Sequence, residues 1–312
     1  MRKSFKDYFP VTLKGMAMGA ADVVPGVSGG TIAFITGIYE ELISTISGVN
    51  FSLITTWKEK GFKAMWYQLN GPFILALFTG ILISFFSLMR GAKYLLENHP
   101  IMIWSFFFGL VLASIWYVGK QIPRWNFKIV LALLIGAGVA FYIVSLPPMA
   151  AKESNLYIFF SGAIAICAMI LPGISGAFIL VLLGAYKRLT DAVHDFDFQT
   201  LGIFAVGAVI GLLSFSKILK WLFVHYSSIT LAVLTGFIAG SLNKIWPWKH
   251  VLQTEMYGDK EVVLKEASVL PWNFDGDPQT VFAILLMLAG FSLILGLEIF
   301  ASKSSENANA AN

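Results

Sequence analysis

The chain has 312 residues, 57% of them hydrophobic and only 13% charged, with a mean hydropathy of +0.75. A soluble domain carries about 25% charged residues, so a water-facing globular surface is excluded and the long apolar runs indicate a polytopic helical membrane protein. The net charge of +4 is too small and too scattered for nucleic-acid binding, although it can orient the chain in a bilayer, and the lone cysteine, Cys167, excludes a disulfide framework or a thiolate metal cluster.

Residues 1–11 form a basic, amphipathic lead-in expected at the membrane surface, and no removable signal peptide follows it, because Asp22 and Pro25 interrupt the next apolar stretch. Region 12–44 is apolar but broken at Pro25-Gly26-Val27-Ser28-Gly29. Proline removes a helical hydrogen bond and glycine permits left-handed turns, so two helical arms should meet at a sharp break. An arm such as 29–44 reaches only about 24 Å, which favours a re-entrant hairpin over two full crossings. A polar connection, 45–70, leads to three runs of spanning length at 71–90, 101–119 and 128–147. Region 157–190 repeats the broken pattern at Pro172-Gly173-Ile174-Ser175-Gly176, and further spans are expected at 201–219, 227–246 and 280–300. Between the last two lies the loop 247–279, expected to hold a small hairpin turning at Tyr257-Gly258-Asp259. The tail 301–312 reads as disordered.

The two broken regions are copies. A shift of 147 residues aligns Gly15 with Gly162, Pro25 with Pro172, Ser28 with Ser175, Gly37 with Gly184 and Tyr39 with Tyr186. Downstream a shift of 127 aligns Gly80 with Gly207, Lys93 with Lys220 and Gly109 with Gly236. The fold expected is all-α, with repeats 12–147 and 157–300, each a re-entrant helical hairpin plus three transmembrane helices. A hairpin begins and ends on one side and three crossings are odd, so the repeats are inverted, an arrangement typical of secondary transporters. With the N-terminus inside, 13 of the 22 Lys and Arg lie inside and 9 outside, which predicts cytoplasmic termini and an extracytoplasmic loop 247–279.

Several residues carry candidate chemistry. Ser28 and Ser175 stand where helices restart, and the following N–H groups of Gly29, Gly30 and Thr31, and of Gly176 and Ala177, have no intrahelical acceptors. Inversion aims two such helix starts at each other, an anion site built from backbone; the plainer reading is a tip satisfied by its own serine. Asp22, matched by Met169, is either an ion-coupling carboxylate or a local cap. Glu40 and Glu41 align with Lys187 and Arg188, which with Arg90 make an outer basic rim opposite an acidic cytoplasmic exit, unless all are simply solvated helix ends. Gly26-Val27-Ser28-Gly29-Gly30 matches the nucleophile-elbow spacing but lacks a preceding strand and acid and histidine partners, so catalysis by Ser28 is rejected. His99, His194, His225 and His250 lack metal-ligand spacing. Gly207-x-x-x-Gly211 and Gly236-x-x-x-Gly240 read as helix-packing motifs, and Trp246 and Trp248 as interfacial anchors.

The run Gly19 to Leu42, with its echo at Leu171–Leu189, resembles the bacterial polyprenyl-phosphate transporter family over essentially the whole chain. The resemblance implies a flippase that returns undecaprenyl phosphate from the outer to the inner leaflet of the cytoplasmic membrane, recycling the carrier lipid of cell-wall synthesis. Such a protein needs no cofactor. No Walker A motif is present, which leaves a proton or sodium gradient as the candidate energy source. Two other classes are open to the residues themselves: a small inorganic anion transporter or channel, and a membrane lipid phosphatase, for which no catalytic cluster is visible.

Overall fold

A computed structural model describes residues 5–22, 28–150, 154–257 and 260–310. The chain runs through α1 (Phe5–Asp22), α2 (Gly29–Ile35), α3 (Tyr39–Ser47), α4 (Ser52–Gln68), α5 (Gly71–Asn98), α6 (Pro100–Lys120) and α7 (Phe127–Ser145). It continues through α8 (Asn155–Ile170), α9 (Gly176–Leu182), α10 (Tyr186–His194), α11 (Phe198–Ser241), a 3-10 turn (Leu242–Ile245), the strands β1 (Lys249–Tyr257) and β2 (Lys260–Ser268), and α12 (Thr280–Ala310). Among the described residues, α5, α6, α7 and the run Phe198–Ile245 are long and apolar enough to cross a membrane, and α8 and Thr280–Gly296 are shorter apolar helices. The outward faces of these helices expose Phe86, Leu134, Tyr142 and Val224, which suits lipid rather than water. This is a polytopic helical membrane protein.

The termini of the spans follow local chemistry. Asn126 caps α7 by accepting from Ile129 N at 3.1 Å, and Asp197 caps α11 by accepting from Gln199 N and Thr200 N, each at 3.1 Å. Hydroxyls inside the apolar helices are satisfied by the preceding turn: Ser105, Ser114 and Thr235 donate to Ile101 O, Leu110 O and Leu231 O.

Close packing rests on glycine against carbonyl. A Cβ on Gly80 would stand 2.0 Å from Thr12 O, and one on Gly15 2.3 Å from Leu77 O, so α1 and α5 touch backbone to backbone. The corresponding positions of the second half make the corresponding contacts: a Cβ on Gly207 would stand 2.0 Å from Phe159 O and one on Gly162 2.4 Å from Phe204 O, so α8 and α11 also touch backbone to backbone. Two further seams link the halves. A Cβ on Gly109 would stand 1.9 Å from Met287 O and one on Gly290 2.1 Å from Phe106 O, between α6 and α12; a Cβ on Gly236 would stand 2.1 Å from Leu133 O and one on Gly136 2.4 Å from Val233 O, between α7 and α11. A Cβ on Gly211 would stand 2.6 Å from Ala163 O and one on Gly240 2.2 Å from Ala137 O, so both Gly-x-x-x-Gly motifs serve helix packing.

Several expectations change. The arm expected at 29–44 is itself broken, because Gly37 adopts φ +72° and divides α2 from α3; Gly184, at φ +66°, divides α9 from α10. Apolar residues on both sides of each glycine hide the interruption from hydropathy. The spans expected at 201–219 and 227–246 are limbs of α11, separated at the non-helical Tyr226. The connection 45–70 contains α4, itself kinked at Gly61. The lead-in is continuous with the first arm, since α1 starts at Phe5. The tail expected to be disordered is helical to Ala310, where the apolar span supplies a helix on which alanines and short polar residues continue.

The loop hairpin forms as expected. β1 and β2 are antiparallel with Tyr257 opposite Lys260, and the turn residues 258–259 lie outside those described. Two tryptophans seat it on the bundle, Trp246 Nε1 donating to Val269 O at 2.7 Å and Trp248 Nε1 to Pro278 O at 2.8 Å. Trp248 is therefore buried beneath the hairpin and is not an interfacial anchor.

Candidate functional site

The two broken regions meet at their tips. Thr31 Oγ1, in the first turn of α2, accepts a hydrogen bond from Gly173 N at 2.8 Å, with both residues buried. Beside it Gly30 lies so near the end of α8 that a Cβ there would be 2.8 Å from Ile170 O and 3.0 Å from Met169 O. Gly173 adopts φ +92° and packs against α11, where a Cβ would fall 2.7 Å from Ser241 Oγ. Glycine is required on both counts: the backbone is left-handed and the space is taken. Pro25 and Gly26 of the first tip lie outside the described residues.

The tips differ in how their N–H groups are used. At the first, Gly29 N donates to Asp22 Oδ1 at 2.6 Å, Gly30 N to Ser28 Oγ at 3.1 Å, and Thr31 N to Ser28 O at 2.9 Å. A side chain at Gly29 would strike the Asp22 carboxylate, 2.4 Å from where its Cβ would stand. This corrects the expectation that both tips offer open N–H groups: Ser28, Gly29, Gly30 and Thr31 are buried and serve one another. At the second tip the position of Asp22 is held by Met169, which cannot accept and instead packs 3.3 Å from the Cβ direction of Gly176. There Ser175 makes no capping bond to α9 among the described residues, and Ser175, Gly176 and Ala177 are partly or fully exposed. Met169 in place of Asp22 thus removes from the second tip the carboxylate that engages Gly29 N, whose counterpart is Gly176.

The remaining candidates lie on other elements. Lys187 is exposed at the start of α10, while Arg188 Nη2 donates to Asn155 Oδ1 at 2.9 Å and lies near Asp197. The Asp197 carboxyl is held below the usual carboxylate range, chiefly by the Thr200 hydroxyl and N–H, with a smaller contribution from Arg188. Arg90 is exposed on α5. Glu41 Oε1 accepts from Asn70 Nδ2 at 3.0 Å, tying α3 to the start of α5. Glu40 faces a cleft of about 120 Å³ shared with Ile43, Ser44, Lys220, Phe223 and Val224. Sequence reasoning missed the bond from Gly173 to Thr31. Its only signal was the lone hydroxyl directly after Gly29-Gly30, where the second copy has Phe178.

A family model described as undecaprenyl phosphate translocase-like matches residues 18–262. A polyprenyl-phosphate transporter of Vibrio cholerae serotype O1 is 48% identical over 302 residues, covering 95% of this chain and 98% of that protein. A polyprenyl-phosphate transporter of Staphylococcus aureus is 33% identical over 253 residues, covering 75% of this chain and 85% of that one. No solved structure matches the chain.

Proposed function

Because the chain belongs to the undecaprenyl phosphate translocase-like family, we propose that it transports polyprenyl phosphate, with undecaprenyl phosphate moved from the outer to the inner leaflet of a bacterial cytoplasmic membrane for reuse. The membrane helices and the names of both relatives support a carrier of this lipid over a lipid phosphatase. The cargo combines a phosphomonoester that cannot enter hydrocarbon with a tail that can stay there. A carrier therefore needs polar donors for the head, held within apolar walls.

In this reading the chain is two inverted repeats, 12–147 and 157–300, with both termini cytoplasmic and the loop 247–279 outside. The matched glycine seams support it: α1 with α5 repeats as α8 with α11, and α6 with α12 repeats as α7 with α11. A re-entrant hairpin in each half is supported by the shortness of α2 and α9, seven residues each, since each spans only about 10 Å.

The observation that carries the site assignment is the hydrogen bond from Gly173 to Thr31, which makes the two tips one structure. The first tip (Ser28, Gly29, Gly30, Thr31), capped by Asp22, is the brace. The second tip (Ser175, Gly176, Ala177) supplies the hydroxyl and N–H donors for the phosphate. Arg90, Lys187 and Arg188 receive the head on the outer side, and Glu40 and Glu41 mark the cytoplasmic exit. Binding of farnesyl phosphate, a short polyprenyl phosphate, to purified variants tests this. Loss of the Ser175 hydroxyl costs about 1 kcal/mol, roughly a fivefold weaker Kd, and loss of the Arg188 guanidinium costs about 1.5–3 kcal/mol. If Ser175→Ala and Arg188→Ala both bind as the parent does, the site lies elsewhere. If inorganic phosphate competes at equal concentration, the cargo is a small anion.

A further inference from the structure

Beneath the β-hairpin, three charged side chains from the 3-10 turn, β1 and β2 converge. Lys244 Nζ, from the 3-10 turn after α11, and Lys249 Nζ, from β1, both reach the same oxygen, Glu266 Oε1 of β2, each at 2.8 Å. Lys249 Nζ also donates to Lys244 O at 2.5 Å. Among the described residues, two cations therefore share one anion, leaving one positive charge in surplus. The group is mostly enclosed: the side chains of Lys249, Glu266 and Lys244 are 11%, 22% and 26% exposed. Aromatic faces close it, Trp104 lying 5.2 Å from Lys249 Nζ and Phe178 4.9 Å from Lys244 Nζ. Burial pushes the Lys249 ammonium below its ordinary range despite Glu266. Burial also pushes the Glu266 carboxyl up, but the two ammoniums more than reverse that and leave it low.

Enclosing an uncompensated charge is unfavourable unless an anion completes it. A carboxylate that receives both ammoniums on one oxygen is a poor match to two cations. A phosphomonoester offers three oxygens and nearly twice the charge, and lysine serves phosphate as a compact point charge. The cluster also adjoins the second tip directly. Phe178 follows Gly176 and Ala177, and Ser241, one turn before Lys244, lies against Gly173.

We propose that Lys244 and Lys249 form a receiving site for the lipid phosphomonoester, occupied by Glu266 as a built-in competitor until the head group arrives. This rests on the reading that the cargo is a lipid phosphate, and it adds a site distinct from the rim of Arg90, Lys187 and Arg188. The head group displaces Glu266, bridges the two ammoniums, and passes to Ser175 and the adjacent N–H groups one helical turn away.

A simple latch for the hairpin makes the opposite forecast for Glu266. The full chain, purified in detergent, is titrated with farnesyl phosphate and with farnesol, and each variant's unfolding midpoint is followed alongside. Lys244→Gln and Lys249→Gln each weaken farnesyl phosphate by about tenfold or more, the weight of one charge-assisted hydrogen bond, while farnesol binding is unchanged. Lys249→Arg restores most of the affinity, and Glu266→Gln tightens farnesyl phosphate several-fold. If the parent prefers farnesyl phosphate to farnesol but Glu266→Gln binds it equally or more weakly, Glu266 is a latch and this inference is overturned while the transport reading stands. The same holds if folded Lys244→Gln binds as the parent does. A parent with no preference for the phosphate sinks both. Should a lysine variant fail to fold, the sign of the Glu266→Gln change decides alone.

Discussion

Replacing Thr31 with valine removes one hydroxyl and almost no volume, which makes it a clean probe of the junction between the tips. Thr31 is 1% exposed and its Oγ1 is the acceptor for Gly173 N at 2.8 Å. Valine would set a methyl group against that amide. Both residues are buried, so the cost is the desolvation penalty of a stranded donor, about 1–3 kcal/mol, not merely the smaller net worth of a hydrogen bond. The equilibrium between joined and parted tips then moves by roughly 5- to 150-fold. Thr36→Val is the matched control, because the Thr36 hydroxyl donates to Ile32 O, which already accepts from Thr36 N at 2.9 Å. Thermal unfolding in detergent should place Thr31→Val clearly below the parent, with Thr36→Val and Thr31→Ser close to it. Hydrogen exchange at the Gly173 amide should accelerate only in Thr31→Val. Parent-like stability and exchange in Thr31→Val would refute the junction as a bond that holds the two broken regions together.

Three further outcomes follow from the same geometry. Gly80→Ala and Gly207→Ala each drive a methyl to 2.0 Å from a carbonyl oxygen of the partner helix and should lower stability by about 1–3 kcal/mol, whereas Gly202→Ala, with nothing within 4 Å, should raise it by up to about 1 kcal/mol; equal effects in an unfolding assay would contradict the seams. Asp22→Asn keeps an oxygen acceptor for Gly29 N and should transport at near-parent rate, with the parent's response to an imposed proton or sodium gradient, while Asp22→Met, which copies the second half, should destabilise the first tip; a response to the gradient that Asp22→Asn loses in proteoliposomes would make Asp22 an ion-coupling residue instead. An impermeant thiol reagent should label Gly258→Cys in intact cells and Ala308→Cys only after permeabilisation, and labelling of Ala308→Cys from outside would reverse the topology.

Much of this was legible in the sequence because the physics was local. Pro-Gly-x-Ser-Gly marks a helix break wherever it stands, and glycines that recur at matching positions in two halves mark backbone contacts. The second break, at Gly37 and Gly184, was visible as an aligned glycine but unreadable, since apolar residues flank it and only the φ angle distinguishes a helical glycine from a left-handed one. The difference between the tips was also written in the chain, as Asp22 against Met169. Its meaning depended on the chain folding back so that Gly29 N meets the carboxylate seven residues before it. The Lys244–Glu266–Lys249 cluster lay beyond reach altogether. Its geometry depends on a strand register that is irregular between Val251 and Thr254, and on a tip residue, Phe178, far away in the chain.

The pairing of α6 with α12, and of α7 with α11, has a consequence for biosynthesis. The glycine seam of α6, at Gly109, leaves the ribosome 171 residues before Thr280, the first residue of α12, the helix that covers it. At about 5–20 residues per second, α6 waits on the order of 10–30 s in the bilayer with Gly109 and its neighbouring backbone open to other helices. The first half therefore cannot finish folding when it is made, and a chain that stops before Thr280 leaves that seam uncovered for good. Premature termination late in the message should be handled by the cell as a membrane quality-control problem, even though nearly all of the tip residues would already be in place.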